Sequence, residues 1–182
     1  LPRATAGLGY VKNMVDATSP TTFAIEKTSA GTSWGALYAQ YWQKASEVEA
    51  QSSGLKVKRE VIVNGQVTND KSLNLRVGDK VKVRITIVAD RDYDFVQVQD
   101  KRAACLEPAV QLSGYRWGYY CAPQDNVNNY YFDLMAKGEH VVETDYYVDR
   151  QGSYASGICT VQCAYSPEFA GREGAKCFTI IR

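Results

Sequence analysis

The run KVKVRITI at Lys80–Ile87 alternates polar and apolar side chains over eight consecutive positions. Successive side chains of a β-strand point to opposite faces, so this period of two predicts a strand with one buried and one solvated face. The segment LRVGD at Leu75–Asp79 leads into it. A strand of this kind needs neighbours in a sheet, and the rest of the chain supplies them.

Val61–Val67 carries Asn64-Gly65 between β-branched residues, which is the strongest short-range signal for a hairpin. No stretch after Gly54 has the pattern of a crossover helix, which argues against a parallel α/β sheet. The predicted fold is all-β: an antiparallel β-sandwich of macroglobulin or immunoglobulin type, preceded by a shorter β segment. The other runs with strand patterning are Leu55–Lys58, Tyr93–Gln99, Tyr130–Leu134, His140–Val148, Tyr154–Tyr165 and Lys176–Ile181.

The small polar stretch Gln51-Ser52-Ser53-Gly54 separates two differently patterned regions and is predicted to be a linker. It divides the chain into residues 1–50 and 55–182. In the first region, Thr22–Lys27 alternates weakly and is predicted to be a strand. Trp34–Trp42 fits a strand or an amphipathic helix, and its aromatic content favours the strand.

The formal charge is +1 among 182 residues, and no basic stripe with interleaved aromatics occurs, so we expect no nucleic-acid partner. No apolar run approaches the about 18 residues of a membrane helix, so we do not expect the chain to span a membrane. It begins at Leu1 rather than Met, which we interpret as a fragment of a longer precursor.

Gly31–Gly35, GTSWG, fits the G-x-S-x-G pattern of a nucleophile elbow. An elbow also needs a parallel sheet, a histidine base and an acid. Asp133 and His140 follow Ser33 in the required order, yet they flank one tight turn. We therefore interpret Ser33 as a turn residue and His140 as a solvated strand residue, with a serine hydrolase as a minor alternative.

Two further patterns carry little functional information. The loop Asp90–Asp94, DRDYD, lacks the glycine and the bidentate glutamate of a calcium loop, so a solvated turn is predicted. With one histidine and no C-x-x-C, no metal or cofactor is expected. The five cysteines, Cys105, Cys121, Cys159, Cys163 and Cys177, allow two disulfides with one free thiol in an exported protein or five buried thiols.

The aromatic residues Tyr115, Trp117, Tyr119 and Tyr120 lie close together in the sequence. Exposed rings in such a cluster stack on sugars, whereas buried rings belong to a core or to a strand edge. If the rings are exposed, the chain could serve as a cell-surface adhesion module or a carbohydrate-binding β-sandwich, and we keep this as the alternative function.

Six separated motifs together resemble the carboxyl-terminal region of bacterial alpha-2-macroglobulin-like proteins. This resemblance implies that residues 1–50 are the last strands of the domain flanking the thioester domain, and that 55–182 is the terminal macroglobulin-type sandwich. It also implies a non-catalytic module. The motifs are GLGYVK (7–12), EKTSAGTSWGALYAQYW (26–42), LRVGDKVKVRI (75–85), RAACLEP (102–108), LSGYRW (112–117) and CTVQCAYSPEFAGREG (159–174).

Members of that family are endopeptidase inhibitors that trap their target peptidases, in many cases through a thioester. The thioester motif C-G-E-Q is absent here, and no bait-like disordered segment is evident. The resemblance therefore implies a module that acts within a parent chain, with that chain and its target peptidases as partners. It implies export to the periplasm, the outer membrane or the cell surface, and it favours a disulfide between Cys105 and Cys163.

Overall fold

The structure is a computed structural model that describes residues 11–16, 22–68 and 70–182. The chain divides into two compact units, Leu1–Gln40 and Tyr41–Arg182. The predicted β segment within residues 1–50 falls partly on 1–10 and 17–21, outside the described residues. In the described part of the chain, no helix is long and apolar enough to cross a membrane.

Residues 22–50 contain no strand, so the strands predicted at Thr22–Lys27 and Trp34–Trp42 are wrong. The side chains of Ile25 and Trp34 are 91% and 94% exposed. A strand needs a neighbour for its backbone N–H and C=O groups and a layer for its apolar side chains, and alternation in the sequence supplies neither. The helix-tolerant stretch after Trp42 contains only a single 3₁₀ turn, Ala45–Glu47.

The rest of the second unit is built from strands, which confirms the predicted fold class. They are β1 (Gln51–Ser53), β2 (Leu55–Val63), β3 (Gln66–Thr68), β4 (Ser72–Arg76), β5 (Lys80–Ala89), β6 (Tyr93–Lys101), β7 (Leu106–Pro108), β8 (Gly114–Arg116), β9 (Tyr119–Pro123), β10 (Val127–Met135), β11 (Gly138–Val148), β12 (Gly152–Ala155), β13 (Cys159–Cys163), β14 (Ala170–Glu173) and β15 (Cys177–Ile181).

The larger sheet has the order β7-β11-β5-β2-β1-β14-β13-β6-β10-β9-β8, with β3 paired to β2. All of its pairs are antiparallel. A smaller sheet, β12-β15-β4, contains a parallel pair, because β4 runs alongside β15. The antiparallel prediction therefore holds for the larger sheet and fails at β4.

Side chains that touch across the interior show how the larger sheet forms a sandwich. Arg59 on β2 reaches Asp100 on β6, and Tyr130 on β10 shares a hydrogen bond of 2.5 Å with Thr144 on β11. The β7-β11-β5-β2 half therefore packs against the half that contains β6 and β10. Apolar side chains of both halves form one core, which includes Leu55, Ile85, Ile87, Val98 and Val161.

The most local sequence signals were the most accurate ones. β5 covers the alternating run and extends it to Ala89, with its apolar side chains inward. Asn64 and Gly65 both have positive φ, 48° and 86°, as a two-residue hairpin turn requires. Asp90 and Arg91 lie in the turn between β5 and β6, as predicted.

Two other predictions need correction. The predicted linker was 51–54, and its first three residues form strand β1 (Gln51–Ser53), which pairs with β14 along all three. The run Tyr154–Tyr165 is divided between β12 and β13, which belong to different sheets. The break lies at Gly157, where a Cβ atom would come within 2.5 Å of Lys101 Cβ. The chain passes from one sheet to the other there, close to Lys101, and only a residue without a side chain fits.

Candidate functional site

Ser33 and His140 do not have the local structure that the serine-hydrolase alternative requires. Ser33 lies in the first unit, in an exposed segment without regular structure, and not at a strand-to-helix turn. Asp133 and His140 belong to β10 and β11 of the second unit. The Nε2 atom of His140 lies 2.7 Å from the backbone oxygen of Ala136, and its ring packs edge-on against Phe132. This nitrogen is thus a donor to the backbone and is not placed as a base.

The carboxylate of Asp90 is engaged by neighbouring side chains. Arg91 donates to it from Nε and Nη2, both at 3.1 Å, and the hydroxyl of Tyr93 donates at 2.5 Å. The hydrogen bonds from Arg91, followed by that from Tyr93, lower the pKa of Asp90. Asp92 accepts the backbone N–H of Lys137 at 2.7 Å. Within the described residues, no group of three or more histidine, cysteine or acidic side chains is arranged to hold a metal ion.

All five cysteines are free thiols in this fold, and Cys105, Cys159 and Cys163 are buried. The disulfide between Cys105 and Cys163 that the resemblance favours is not formed in this structure. Cys163 pairs with Val96 near the start of β6, whereas Cys105 follows Lys101 at the end of that strand.

A buried ion pair joins the two halves of the sandwich. Arg59 Nη1 lies 2.7 Å from Asp100 Oδ1, with side chains 3% and 2% exposed. Arg59 Nη2 donates to the backbone oxygens of Gly157 at 3.0 Å and Gly174 at 2.7 Å, and the Arg59 N–H donates to the carboxylate of Glu173. Burial is the largest single influence and lowers the pKa of Arg59, but the charge and hydrogen bond of Asp100, together with the nearby Cys159 and Glu173, outweigh it, so the pKa is raised.

Further polar groups continue this cluster into the interior. The Asn128 side-chain amide donates to the hydroxyl of Tyr146, and burial raises the pKa values of the Tyr146 hydroxyl and the Cys159 thiol well above their usual range. These groups are therefore neutral at ordinary pH. The cluster fixes how the halves face each other, and it offers no opening for a substrate.

The pairing of Arg59 with Asp100 was not predicted, although the sequence carries a signal for it. Arg59 occupies the inward phase of the alternation Leu55, Val57, Arg59, Val61 on β2. Asp100 likewise follows Val96 and Val98 at the inward positions of β6. Opposite charges at the inward positions of two strands are expected to meet, because a buried charge needs a partner.

The predicted aromatic cluster lies on the β8–β9 hairpin, but its members point in different directions. Trp117 is at the hairpin tip and fully exposed, while Tyr115 and Tyr120 form an edge-to-face pair with centroids 5.0 Å apart. Tyr119 instead packs against Tyr130 and Phe132 at 5.8 and 5.3 Å. Tyr119 is thus a half-buried core residue, and the other three form an outward aromatic surface.

The family model for the bacterial alpha-2-macroglobulin MG10 domain matches residues 54–168. A comparison with curated protein sequences gave no significant match.

Three similar solved structures are a mutant of Salmonella alpha-2-macroglobulin, native Escherichia coli alpha-2-macroglobulin from domain MG7 to the C-terminus, and E. coli alpha-2-macroglobulin activated by porcine elastase. Their TM-scores are 0.62, 0.62 and 0.65, at identities of 21%, 14% and 15%. They cover 72%, 73% and 74% of this chain, which spans only 10%, 24% and 14% of theirs.

The structural similarity concerns the fold, and it agrees with the sandwich described above. The family match covers more than half of the 182 residues and includes β2 through β13. The chain therefore belongs to the bacterial alpha-2-macroglobulin family and contains its MG10 domain.

Proposed function

We propose that this chain is a non-catalytic, carboxyl-terminal module of an alpha-2-macroglobulin-like endopeptidase inhibitor that traps its targets. The single observation that carries the proposal is the MG10 match over residues 54–168. The buried cluster around Arg59 and Asp100 supports a rigid role, because it locks the halves of the sandwich without forming a cleft.

The module supplies neither thioester nor bait of its own. None of the five cysteines is followed by Gly-Glu-Gln, the remainder of the thioester motif. Trapping thus depends on the polypeptide that contains this module, and its target peptidases are partners of that polypeptide. We also propose that the polypeptide is exported to the periplasm, the outer membrane or the cell surface.

The exposed segment before the sandwich supports a place inside a longer protein. Trp34 and Tyr38 lie four positions apart in the sequence, and their side chains are 94% and 84% exposed. Side chains of this size are costly to leave in water, at roughly 25 cal/mol per Å² of apolar surface. We propose that this segment completes the domain that flanks the thioester domain.

A peptidase-protection assay on the longer polypeptide tests the proposal. A trapped peptidase keeps its activity on a small chromogenic peptide but loses its activity on a large protein such as casein. We expect this split with trypsin or elastase for the longer polypeptide, and no effect of the 182-residue chain alone. Loss of both activities with the chain alone would identify an active-site inhibitor and overturn the proposal, as would the absence of any protection by the longer polypeptide.

A further inference from the structure

Strand register places five outward side chains in one row across the sheet. Tyr115 on β8 pairs with Tyr120 on β9, and Tyr120 pairs with Tyr131 on β10. Tyr131 in turn pairs with Gln97 on β6, which pairs with Gln162 on β13. Because neighbouring strands lie about 4.8 Å apart, this tyrosine–glutamine row spans roughly 19 Å.

A second row lies beside the first on the same face of the sheet. Ala122, Asn129, Gln99 and Thr160 occupy the next outward positions on the same strands. Asn129 is only 2% exposed, and its Oδ1 accepts hydrogen bonds from Nε2 of Gln97 at 3.3 Å and of Gln99 at 3.0 Å. Gln97 Nε2 also lies 3.3 Å from the hydroxyl of Tyr131. The two amide nitrogens are therefore engaged, and each amide keeps a carbonyl oxygen that can accept a hydrogen bond from a ligand hydroxyl.

The chemical character of this face is unusual for a protein surface. None of the nine side chains in the two rows carries a charge, although 23% of the residues in the chain are charged. None is aliphatic beyond alanine. The nearest charged residues in register are Asp133, two residues beyond Tyr131 on β10, Lys101, two residues beyond Gln99 on β6, and Arg172 on β14, which pairs with Thr160. An uncharged face complements an uncharged ligand, because an ionic ligand would lose its hydration here without gaining a counter-charge.

The rings on this face are available for contact. Tyr115 is 77% exposed and Tyr131 is 40% exposed. A tyrosine ring offers an apolar face together with a hydroxyl that donates and accepts hydrogen bonds. A pyranose has the complementary construction, with C–H groups on its faces and hydroxyl groups around its rim.

A protein partner fits this face less well. Protein interfaces have a desolvated apolar centre, and their strongest contacts are anchors that fill pockets. Here the rings alternate with amide and hydroxyl groups along a flat sheet, and none of the nine side chains in the two rows is a large aliphatic residue that would fill a pocket.

We infer that the outward face of β8, β9, β10, β6 and β13 binds a neutral polysaccharide that lies across the strands. The sugar rings stack on Tyr115, Tyr120 and Tyr131, and the amides of Gln97 and Gln162 bind the hydroxyl groups at the far end of the row. This inference is independent of peptidase trapping, because the chain alone carries the complete face.

Affinity electrophoresis of the 182-residue chain tests the inference. Native gels would contain hydroxyethyl cellulose, glycol chitin or galactomannan as neutral probes, and alginate as an anionic probe. We expect retardation by at least one neutral polysaccharide and none by alginate. Failure of all three neutral probes, or stronger retardation by alginate, would overturn the inference.

Variants then assign the binding to the face. Tyr115→Ala and Tyr131→Ala should each weaken retardation at least tenfold, and Gln162→Ala should weaken it by a smaller factor. Tyr147→Ala is the matched control, since Tyr147 is a half-exposed tyrosine on β11 outside the row. Tyr115 lies on a terminal edge strand and is largely exposed, so its loss tests binding without threatening the fold.

Two further results would count against a glycan. Equal retardation of Tyr115→Ala, Tyr131→Ala and the unmodified chain would place any sugar binding elsewhere. Self-association in sedimentation velocity that is abolished by Tyr115→Ala would show that the face serves a protein contact instead.

Discussion

Arg59 and Asp100 form an ion pair of 2.7 Å, although 41 positions separate them in the chain, and they connect β2 to β6 through the core. Removing one partner leaves the other as an unpaired buried charge. We expect Asp100→Ala to lower the free energy of unfolding by about 3–5 kcal/mol, measured by urea denaturation.

The double variant Arg59→Met with Asp100→Leu provides the sharper measurement. Because the double variant removes both charges together, it should lower the free energy of unfolding by clearly less than the sum of the decreases in the single variants Arg59→Met and Asp100→Leu. The exposed pair Lys82–Glu143 is the control, and Lys82→Ala should change stability by less than about 1 kcal/mol. Additive effects of the two single variants would contradict the coupling inferred from the geometry.

Phe95 has a φ of 54°, which a non-glycine residue rarely adopts, and its ring meets that of Tyr165 edge-on at 5.3 Å. We expect Phe95→Gly to be more stable than Phe95→Ala by about 1 kcal/mol, since both lose the ring but only glycine relieves the backbone. Thermal unfolding of the two variants measures the difference. Val88, at an outward position of β5, is the control: there Val88→Ala should be more stable than Val88→Gly, as is usual within a strand.

Predictions that depend on residues close together in the sequence were accurate, whereas contacts between distant parts of the chain were not predicted. The alternation of Lys80–Ile87 and the Asn64-Gly65 turn depend on neighbouring residues, and both were predicted correctly. The ion pair of Arg59 and Asp100 depends on which strands face each other, and periodicity within one strand does not contain that information.

The strand prediction for Trp34–Trp42 failed for a related reason. Alternation shows that Trp34–Trp42 can form a strand, but a strand exists only where a neighbour is available. For Tyr119 and Tyr120 the sequence left both a surface and a core position open, although adjacent residues of a strand point to opposite faces. Only the packing of Tyr119 against Phe132 decides which of them is inside.

Acid should weaken the fold through Glu143 on β11. Its hydrogen bonds to Lys82 at 2.8 Å and Arg84 at 2.7 Å lower its pKa in the folded state. A group with a depressed folded pKa stabilises the fold above its unfolded pKa, near 4.3 for glutamate, and loses that contribution as the pH falls through the folded value. In Glu143→Gln, the decrease of melting temperature below about pH 4.5 should be shallower.

Glu139→Gln on the same strand is the control for this measurement. Two results would show that the pairing with Lys82 and Arg84 does not govern the acid sensitivity. One is a melting temperature of Glu143→Gln that falls at low pH as steeply as that of the unmodified chain; the other is an equally shallow fall in Glu139→Gln.

The thiols should react in an order set by burial. Burial raises the pKa of Cys105 to about 11 and that of Cys159 well above its usual value, and the thiolate is the reactive form. With iodoacetamide at pH 8, we expect both to be modified only after unfolding in urea, as measured by peptide mass spectrometry. Half-exposed Cys177 should react first in the native chain. A non-reduced digest that contains Cys105 linked to Cys163 would contradict the free-thiol assignment.

Gly171 on β14 lies where the larger sheet turns between its two halves. A Cβ atom there would come within 2.3 Å of the backbone oxygen of Leu55, and backbone cannot move aside as a flexible side chain can. Gly171→Ala should therefore destabilise the chain by about 3 kcal/mol or more in urea denaturation, because β14 and the start of β2 must separate to admit one methyl group. Gly35→Ala, with no atom within 4 Å of the added Cβ, should change stability by no more than about 0.5 kcal/mol. Equal stability of the two variants would mean that the contact between β14 and the start of β2 is looser than the structure describes.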